Sequence, residues 1–374
     1  MKYYIIAGEA SGDLHAANLM HALKQADADA RFRVWGGDRM MAAGGVPVKH
    51  IRELAFMGFA EVVMNLGAIL RNFRLCRKDL LNNKPDVLIL VDYPGFNLKM
   101  AAFAKKHGIP VVYYISPQLW AWKQGRVRKV RRYVDRMLVI LPFERDFYDG
   151  FGVDVAFVGH PLLDVPEIAT PVSAHTDFFR RNDLPDRPLV AVLPGSREQE
   201  VSRLLSDMVA VADRFPEYQF VIAGLSLLPE NTYDAPGLPG NVSLVIDQTY
   251  DLLSHSRAAL VASGTATLEA ALFGVPLVVC YRASTVSYHI ARRLVKVRYI
   301  SLVNLIMNEP LVRELIQHDF SRVKVADELE RLLHDAAYRE KILSGYEALR
   351  SMLGGSGASQ RAASEILALL KGPV

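Results

Sequence analysis

Short apolar runs that alternate with amphipathic segments constrain this chain more than any other feature. In the first half, apolar runs such as 2–7 and 86–91 are each followed by a turn and a helix-like segment, about seven times in all. The second half repeats the pattern from Leu189 onward. Continuous apolar strands separated by helices are typical of parallel sheets that are covered on both faces. We therefore predict an α/β fold with two doubly wound, Rossmann-like domains.

The chain has 374 residues, more than one hydrophobic core usually serves. Proline and small polar residues gather over 165–173, where we predict the linker between domains. The expected domains are 1–165 and 166–345, with terminal helices over 346–374. Because glycines at 354 and 355 interrupt these helices, we expect the last one to return to the first domain.

Composition excludes several classes of protein. The net charge is only +4, so we expect no nucleic-acid partner. The two cysteines, Cys76 and Cys280, lie far apart in apolar contexts, which favours a reducing cytosol over a disulfide-stabilised secreted protein. Every apolar run is shorter than the ~18 residues that a membrane span needs. The Asp27-Ala-Asp29 pattern resembles a metal site but ends a predicted helix, so we interpret it as a solvated charge pair and expect no metal and no cofactor.

The segment 189–200 predicts an anion site. Pro194 and Gly195 break an apolar strand, Ser196 can cap the following helix, and Arg197 comes directly after it. A helix N-terminus presents free N–H groups and a positive dipole end, and a guanidinium can bind two phosphate oxygens at once. We interpret this turn as a diphosphate cradle. The alternative is an ordinary strand-to-helix turn with a solvated arginine.

A second strand-to-helix turn, over 263–271, has small residues that let a ligand approach closely. Ser263 and Thr265 flank Gly264 and offer hydroxyl groups. Glu269 lies one turn into the helix, where a carboxylate can bind both hydroxyls of a ribose, and the alternative is a solvated helical glutamate. Together with the diphosphate cradle, these residues predict a nucleotide-sugar pocket in the second domain.

The turn after the first strand, Gly8-Glu-Ala-Ser-Gly-Asp13, has the wrong spacing for the dinucleotide-binding fingerprint. The carboxylates of Glu9 and Asp13 favour sugar hydroxyls over phosphate as ligands. Ser11 or Asp13 can cap the helix that follows.

Asp92 follows the apolar run 86–91, at the strand end where parallel sheets bind ligands. A carboxylate in that position is a candidate general base. The alternative is an aspartate that serves as a helix N-cap.

Two segments of the first domain combine apolar and basic residues. Trp120 and Trp122 follow the apolar strand 110–115, and a run of Lys and Arg residues comes directly after them in 123–132. The segment 54–81 has too many apolar residues for one helix stripe and ends in basic residues. Both segments are typical of contact with anionic lipid. The alternatives are a buried helix and a solvated charged face.

A series of motifs runs in order through nearly the whole chain. They are Gly8-Glu-Ala-Ser-Gly-Asp13, Met57-Gly-Phe-Ala-Glu-Val62, Lys84-Pro-Asp-Val87, Asp92-Tyr-Pro-Gly-Phe-Asn97, Ser116-Pro-Gln-Leu-Trp-Ala-Trp122, Leu141-Pro-Phe-Glu144, Val158-Gly-His160, Leu193-Pro-Gly-Ser-Arg197, Ala262-Ser-Gly-Thr-Ala-Thr-Leu-Glu269 and Val303-Asn304. In this order they resemble the lipid-A-disaccharide synthases, glycosyltransferases of the GT-B architecture. That architecture implies two domains that face one another across a cleft.

The resemblance implies an inverting glycosyl transfer. UDP-2,3-diacylglucosamine would donate its sugar to 2,3-diacylglucosamine 1-phosphate, which gives a β-1,6-linked disaccharide 1-phosphate and UDP. By similarity, Asp92 is the base that accepts the proton of the acceptor hydroxyl. Arg197 and residues 263–267 would stabilise the departing UDP. Glu269 would hold its ribose, and Asn304, in a predicted loop, would lie near the donor.

The resemblance also assigns the acceptor side and a membrane contact. The acceptor-side residues are Glu9, Ser11, Asp13, Trp120 and Trp122. The residues expected to contact the membrane are Met57, Phe59, Val62, Val63 and Leu66. Because both substrates are lipids, the resemblance implies a cytoplasmic protein bound peripherally to the anionic inner membrane. It also implies a homodimer with exchanged C-terminal segments.

One departure and two alternatives stand beside this interpretation. Some relatives carry an acidic residue three positions after the base, where this chain has Gly95, so Asp92 would act alone. A UDP-N-acetylglucosamine 2-epimerase uses a similar two-domain cleft, but it needs no acyl-chain surface. A non-enzymatic nucleotide-sugar-binding protein would tolerate the change Asp92→Asn.

Overall fold

The computed structural model describes residues 1–53, 66–169, 175–234, 237–284, 288, 292, 293, 295 and 297–372. The chain forms two compact units. Unit 1 comprises Met1–Asp164 and Leu353–Val374, and unit 2 comprises Val165–Met352. The chain therefore leaves unit 1 once and returns to it at its C-terminal end.

Unit 1 is built on a parallel sheet. Its strands are β1 (Lys2–Ala7), β2 (Arg31–Gly36), β3 (Gly45–His50), β4 (Val87–Val91), β5 (Val111–Tyr114), β6 (Arg136–Val139) and β7 (Ala156–Phe157). In the described residues their order is β3-β2-β1-β4-β5-β6-β7. Strands β4 and β5 are buried along their whole length, as expected for a sheet with helices on both faces.

Helices lie between these strands and cover the sheet. They are α1 (Ala10–Ala26), α2 (Asp38–Ala42), α3 (Leu66–Asn83), α4 (Pro94–Lys106), α5 (Val127–Tyr133) and α6 (Glu144–Asp149). Helices α3 and α4 meet through Phe73 and Phe96, whose stacked rings have centroids 4.4 Å apart. Trp35 of β2 packs against Phe96 as well, with the ring centroids 5.4 Å apart, so the aromatic core joins sheet and helices.

Unit 2 repeats the arrangement. Its strands are β8 (Leu189–Leu193), β9 (Gln219–Gly224), β10 (Val242–Ile246), β11 (Ser256–Ala262), β12 (Leu277–Tyr281) and β13 (Arg313–Ile316). In the described residues their order is β10-β9-β8-β11-β12-β13, and neighbouring strands are parallel. Both predicted doubly wound sheets are thus present.

The helices of unit 2 are shorter on average before the C-terminal region. They are α7 (Pro166–Ala169), α8 (His175–Arg181), α9 (Glu198–Val209), α10 (Thr249–His255), α11 (Thr265–Leu272), α12 (Leu302–Met307), α13 (Arg322–His334) and α14 (Ala336–Met352). The last helix, α15 (Ala358–Lys371), belongs to unit 1. Short 3-10 turns cover Ile51–Glu53, Gln124–Arg126, Pro161–Asp164, Ala212–Arg214 and Glu230–Tyr233.

Asp164 fixes the last helix to unit 1. Its carboxylate accepts hydrogen bonds from the backbone N–H groups of Gly357 at 2.6 Å, Ala358 at 3.1 Å and Ser359 at 2.7 Å. The carboxylate therefore caps the N-terminus of α15. The last helix α15 thus belongs to unit 1, whereas α14 belongs to unit 2.

Candidate functional site

Each sheet reverses its strand order at one pair of strands. In unit 1 the chain runs from β1 to β2 and β3 on one side, and from β4 to β5, β6 and β7 on the other. In unit 2 the reversal lies between β8 and β11. Parallel α/β sheets bind ligands outside the carboxyl ends of the strands at such a point. The residues that follow these four strands are Gly8, Asp92, Pro194 and Ser263, so each unit has two of the predicted turns side by side.

Asp92 has a left-handed backbone, with φ +43°, and Tyr93 after it has φ +49°. The N-cap of α4 is Tyr93, so the alternative interpretation of Asp92 as the helix N-cap is wrong. The backbone carbonyl of Asp92 accepts hydrogen bonds from Tyr113 Oη at 2.5 Å and from Asn97 Nδ2 at 2.8 Å. Non-glycine residues in this region of backbone space cost free energy, and they persist where surrounding contacts enforce them.

Tyr93 joins the two turns of unit 1. A Cβ added at Gly8 would lie 2.4 Å from Cγ of Tyr93, so only glycine lets the ring pack there. Burial raises the pKa of the Tyr93 hydroxyl, and the nearby Glu9 carboxylate raises it further. Gly8, Glu9 and Asp92 are therefore neighbours at one edge of the sheet.

Asp13 has a structural role that the sequence did not indicate. Its buried carboxylate accepts hydrogen bonds from the N–H groups of Gly37 at 2.6 Å, Arg39 at 3.1 Å and Met40 at 3.2 Å, and so caps α2. The prediction that Ser11 or Asp13 caps its own helix is wrong, because α1 begins at Ala10 with Glu9 as N-cap. Asp13 shapes the turn from inside, while Glu9 and Ser11 are half-buried.

The two tryptophans differ in exposure. Trp122 is 39% exposed, and Lys123 Nζ lies 4.0 Å from the centroid of its ring. Trp120 is only 7% exposed, so it lies in the interior and only Trp122 of the pair is open to contact with lipid. Its Nε1–H donates to Glu144 Oε1 at 3.2 Å, and its ring packs edge-on against Phe143. Trp120 therefore anchors the loop that carries Trp122.

Glu144 is the buried partner of that anchor. Its Oε2 accepts hydrogen bonds from the backbone N–H groups of Ile140 at 3.2 Å and Leu141 at 3.0 Å. Burial raises the pKa of Glu144 to about 7. The sequence singled out Glu144 only as part of the Leu141–Glu144 motif. That motif did not indicate a buried carboxylate that accepts several hydrogen bonds.

The basic and apolar residues of unit 1 are only partly described. Of the residues predicted to contact the membrane, Met57, Phe59, Val62 and Val63 lie outside the described residues, and Leu66 is the first residue of α3. Along α3 the exposed side chains are Leu70, Arg71, Arg74, Leu75, Arg77, Lys78, Leu81 and Asn82. On α5, Val127 and Val130 are buried, and the exposed basic side chains are Arg128, Lys129, Arg131 and Arg132. Both helices thus present mixed or basic outer faces.

The turn after β8 bends at a glycine with a positive φ. Gly195 has φ +122°, where glycine is favoured. The N-cap of α9 is Arg197, so the prediction that Ser196 caps this helix is wrong. Glu200 contacts both residues: its Oε2 accepts the N–H of Ser196 at 3.1 Å, and its Oε1 pairs with Arg197 Nη1 at 3.2 Å. A carboxylate therefore already lies where a diphosphate is predicted.

The turn after β11 is open at its glycine. Gly264 is exposed and is the N-cap of α11, and within the described residues an added Cβ would have no heavy atom within 4 Å. Ser263 Oγ donates to the carbonyl of Ile300 at 2.9 Å, which commits its proton to the protein. Thr265 is half-buried at the helix start. The turn thus offers backbone N–H groups and the Thr265 hydroxyl to a ligand.

Glu269 is held by a tyrosine that sequence reasoning missed. Tyr250 Oη donates to Glu269 Oε1 at 2.8 Å, and both residues are half-buried. The alternative interpretation of Glu269 as a solvated helical residue is therefore wrong. The tyrosine hydroxyl therefore orients the Glu269 carboxylate in α11.

Asn304 lies in α12, not in the predicted loop. Its buried amide accepts the N–H of Val312 at 2.9 Å and donates to the Val312 carbonyl at 2.9 Å and to Glu314 Oε1 at 3.0 Å. Glu314 also accepts the N–H of Ser301 at 2.9 Å. Asn304 thus supports the segment that receives the Ser263 hydroxyl, and its side chain is used within the protein.

The described residues hold neither a metal-binding cluster nor a membrane-spanning helix. Within them, no group of three or more His, Cys, Asp or Glu side chains is placed to hold a metal ion. Among the helices of the described part of the chain, none has the length and apolar character needed to cross a membrane. Asp27, which the sequence suggested was solvated, instead accepts hydrogen bonds from the Met1 amine at 2.8 Å and Tyr3 Oη at 2.9 Å.

Comparison with known proteins gives consistent matches. The family model described as lipid-A-disaccharide synthetase matches residues 3–365. The lipid-A-disaccharide synthase of Trichlorobacter lovleyi is 43% identical over 375 residues, covering 98% of this chain and 97% of the relative.

Solved structures of low sequence identity share the fold. The UDP-GlcNAc 2-epimerase of Neisseria meningitidis bound to UDP-GlcNAc has a TM-score of 0.66 at 14% identity, covering 100% of both chains. The glycotransferase of kitacinnamycin has a TM-score of 0.66 at 16% identity, covering 98% of both chains. The predicted GT-B fold class is thereby confirmed.

Proposed function

This chain belongs to the lipid-A-disaccharide synthetase family, and we propose how its residues divide the work of that glycosyltransferase. The enzyme forms the lipid A disaccharide from a nucleotide-sugar donor and a lipid acceptor. In the proposed reaction UDP-2,3-diacylglucosamine is the donor and 2,3-diacylglucosamine 1-phosphate is the acceptor. The products are the β-1,6-linked disaccharide 1-phosphate and UDP. One observation supports the assignment of Asp92 as the base. Its left-handed turn lies at the point where the strand order of unit 1 reverses.

Unit 2 would bind the donor. The turns after β8 and β11 lie on neighbouring strands, with Leu193 in register with Val261. Two helix N-termini and Arg197 would therefore meet at one diphosphate and neutralise the charge of the departing UDP. Glu269 would bind the ribose hydroxyls, with its carboxylate oriented by Tyr250. Asn304 would act indirectly, by supporting the segment that receives the Ser263 hydroxyl.

Unit 1 would bind the acceptor and supply the base. In the proposed step the oxygen of the acceptor 6-hydroxyl attacks the anomeric carbon of the donor sugar, and Asp92 accepts the proton of that hydroxyl. The bond between that carbon and the diphosphate oxygen breaks, and the electron pair leaves with UDP. Attack from the face opposite UDP inverts the anomeric centre. Glu9 and Ser11 would line the acceptor side, and Trp122 would contact acyl chains.

We also propose a peripheral contact with the anionic cytoplasmic face of the inner membrane. The support is the exposed apolar and basic side chains of α3, the basic outer face of α5, and the exposed Trp122 with Lys123 against its ring. Replacing Met57, Phe59 and Val63 by serine should weaken sedimentation with anionic vesicles. Unchanged sedimentation of a folded variant would remove these residues from the contact.

The proposed homodimer with exchanged C-terminal segments rests on the family resemblance. Light scattering of the full chain should give twice the single-chain mass of 41.6 kDa. A mass of one chain over the working concentration range would overturn it.

The function is tested by assaying the purified chain with both acylated substrates in detergent, with EDTA present. We expect UDP and disaccharide in equal amounts, with a β linkage by NMR, because Arg197 and the helix N-termini replace a metal at the diphosphate. UDP release without disaccharide would remove the acceptor assignment. An epimerase would instead act on UDP-GlcNAc alone, and such activity without disaccharide synthesis would favour that alternative.

A further inference from the structure

The connection between β4 and α4 has two consecutive left-handed residues. Asp92 has φ +43° and Tyr93 has φ +49°, although neither is glycine. This conformation is unfavourable for L-residues with side chains, so contacts around the turn must hold it. The conformation of Asp92 also sets the direction of its carboxylate, because the Cβ position is fixed by the backbone.

Two buried donors converge on the carbonyl of Asp92. Tyr113, on the neighbouring strand β5, donates its hydroxyl over 2.5 Å, and Asn97, in α4, donates its amide over 2.8 Å. Asn97 Nδ2 also lies 3.2 Å from the carbonyl oxygen of Val91 and 3.4 Å from that of Ile6. The amide therefore ties the ends of β4 and β1 to the turn.

Neither donor is placed to touch a substrate. Tyr113 and Asn97 are both fully buried within unit 1. Burial, together with the nearby Asp92, raises the pKa of Tyr113 well above its ordinary value, so its hydroxyl keeps the proton that it donates. The two side chains therefore act on Asp92 from the protein interior.

We infer that Tyr113 and Asn97 are positioning residues that hold the Asp92 peptide left-handed and so aim its carboxylate at the acceptor hydroxyl. This inference rests on the proposed role of Asp92 as the base. Tyr113 is the more informative of the two, because removal of its hydroxyl leaves the ring and its packing in place. Its influence should reach turnover only through Asp92.

The test is Tyr113→Phe, measured as kcat, KM for the acceptor and Kd for UDP. We expect kcat to fall about tenfold, because one strong hydrogen bond to the Asp92 carbonyl is lost. KM and Kd should stay within about twofold of wild type. The matched control is Tyr4→Phe. Tyr4 is also a fully buried tyrosine of this sheet, and its hydroxyl donates to Asp79 at 2.9 Å and accepts from Trp35 Nε1 at 2.8 Å. The control should lose thermal stability without a loss of kcat.

A double-mutant cycle with Asp92→Asn separates positioning from general damage. If Tyr113 acts through Asp92, adding Tyr113→Phe to Asp92→Asn should leave the residual rate unchanged within about twofold. An additive tenfold loss in the double variant would overturn the inference. So would wild-type kcat in Tyr113→Phe while Asp92→Asn is inactive.

The proposed role of Asp92 as the base is tested independently of Tyr113. Full turnover in Asp92→Asn would remove that role whatever Tyr113→Phe shows. If Tyr113→Phe does not fold, Asn97→Ser takes its place in the cycle with the same expected outcomes, because it removes the other donor to the Asp92 carbonyl.

Discussion

The backbone N–H of Ser196 donates to Glu200 Oε2 over 3.1 Å, so the carboxylate of Glu200 lies in the turn where we place the donor diphosphate. The same carboxylate pairs with Arg197, the guanidinium assigned to that diphosphate. The protein's own carboxylate therefore already occupies the turn proposed to bind an anion. A donor that binds there must displace Glu200 or share Arg197 with it.

Glu200→Gln should therefore bind UDP more tightly than wild type. Removing one negative charge beside a half-exposed site should increase affinity about threefold at low ionic strength, and the gain should shrink as salt is added. Titration calorimetry at two salt concentrations measures this. The control is Glu198→Gln, an exposed acid in the same first helical turn, for which we expect a smaller change. Weaker UDP binding in Glu200→Gln would show that Glu200 supports the site and does not compete for it.

Glu269 should make the enzyme discriminate between ribose and deoxyribose. Wild type should bind UDP about tenfold more tightly than 2′-deoxy-UDP, because a charged acceptor loses a hydroxyl donor. Glu269→Ala should bind both nucleotides with similar affinity. Tyr250→Phe, which removes the hydroxyl that orients Glu269, should retain part of the preference. A preference that persists unchanged in Glu269→Ala would place the ribose elsewhere.

A buried histidine pair should make unit 1 sensitive to acid. The rings of His15 and His160 lie with centroids 6.2 Å apart. Burial lowers the pKa of His15 to about 4 and that of His160 to about 3. Both values lie below the unfolded value of 6.5, so the unfolded chain binds more protons as the pH falls. Stability is therefore fully present above about pH 6.5 and decreases toward pH 4, by ~3 kcal/mol for His15 alone.

Thermal unfolding of His15→Gln tests this pH dependence. As the pH falls from 7 to 4.5, the Tm of wild type should decrease more than the Tm of His15→Gln. His21→Gln is the control, because His21 is an exposed residue of the same helix, and its difference from wild type should stay nearly constant. A His15→Gln difference that is equally constant would contradict the prediction.

The edge strands show which part of the fold could not be predicted. The sequence indicated the central strands, because residues such as those of β4 and β8 are buried on both faces and read as continuous apolar runs. Strands β3 and β13 went unpredicted. Each lies at the edge of its sheet, β3 contains Pro47, and β13 begins with Arg313 and Glu314. Edge strands tolerate proline and charge, so they lack the apolar pattern.

The sequence predicted those residues of the candidate site that come directly after a strand. Asp92, Gly195 and Ser263 all lie at the carboxyl ends of the strands where the order reverses. The side chains that contact these residues could not be predicted. Tyr113 lies beside Asp92 because strands β4 and β5 pair, and Glu200 and Tyr250 are placed by the helices that carry them. Glu200 alone had a local signal, an acid three positions after the N-cap of a helix.

The most direct measurement of the central claim is turnover by Asp92→Asn together with its affinity for UDP. We predict that kcat falls about 10³-fold while Kd for UDP stays within about twofold of wild type, because the substitution removes the base and leaves unit 2 unchanged. Asp86→Asn, at the opposite end of the same strand, should turn over like wild type. Turnover by Asp92→Asn within a few-fold of wild type would contradict the assignment of Asp92 as the base.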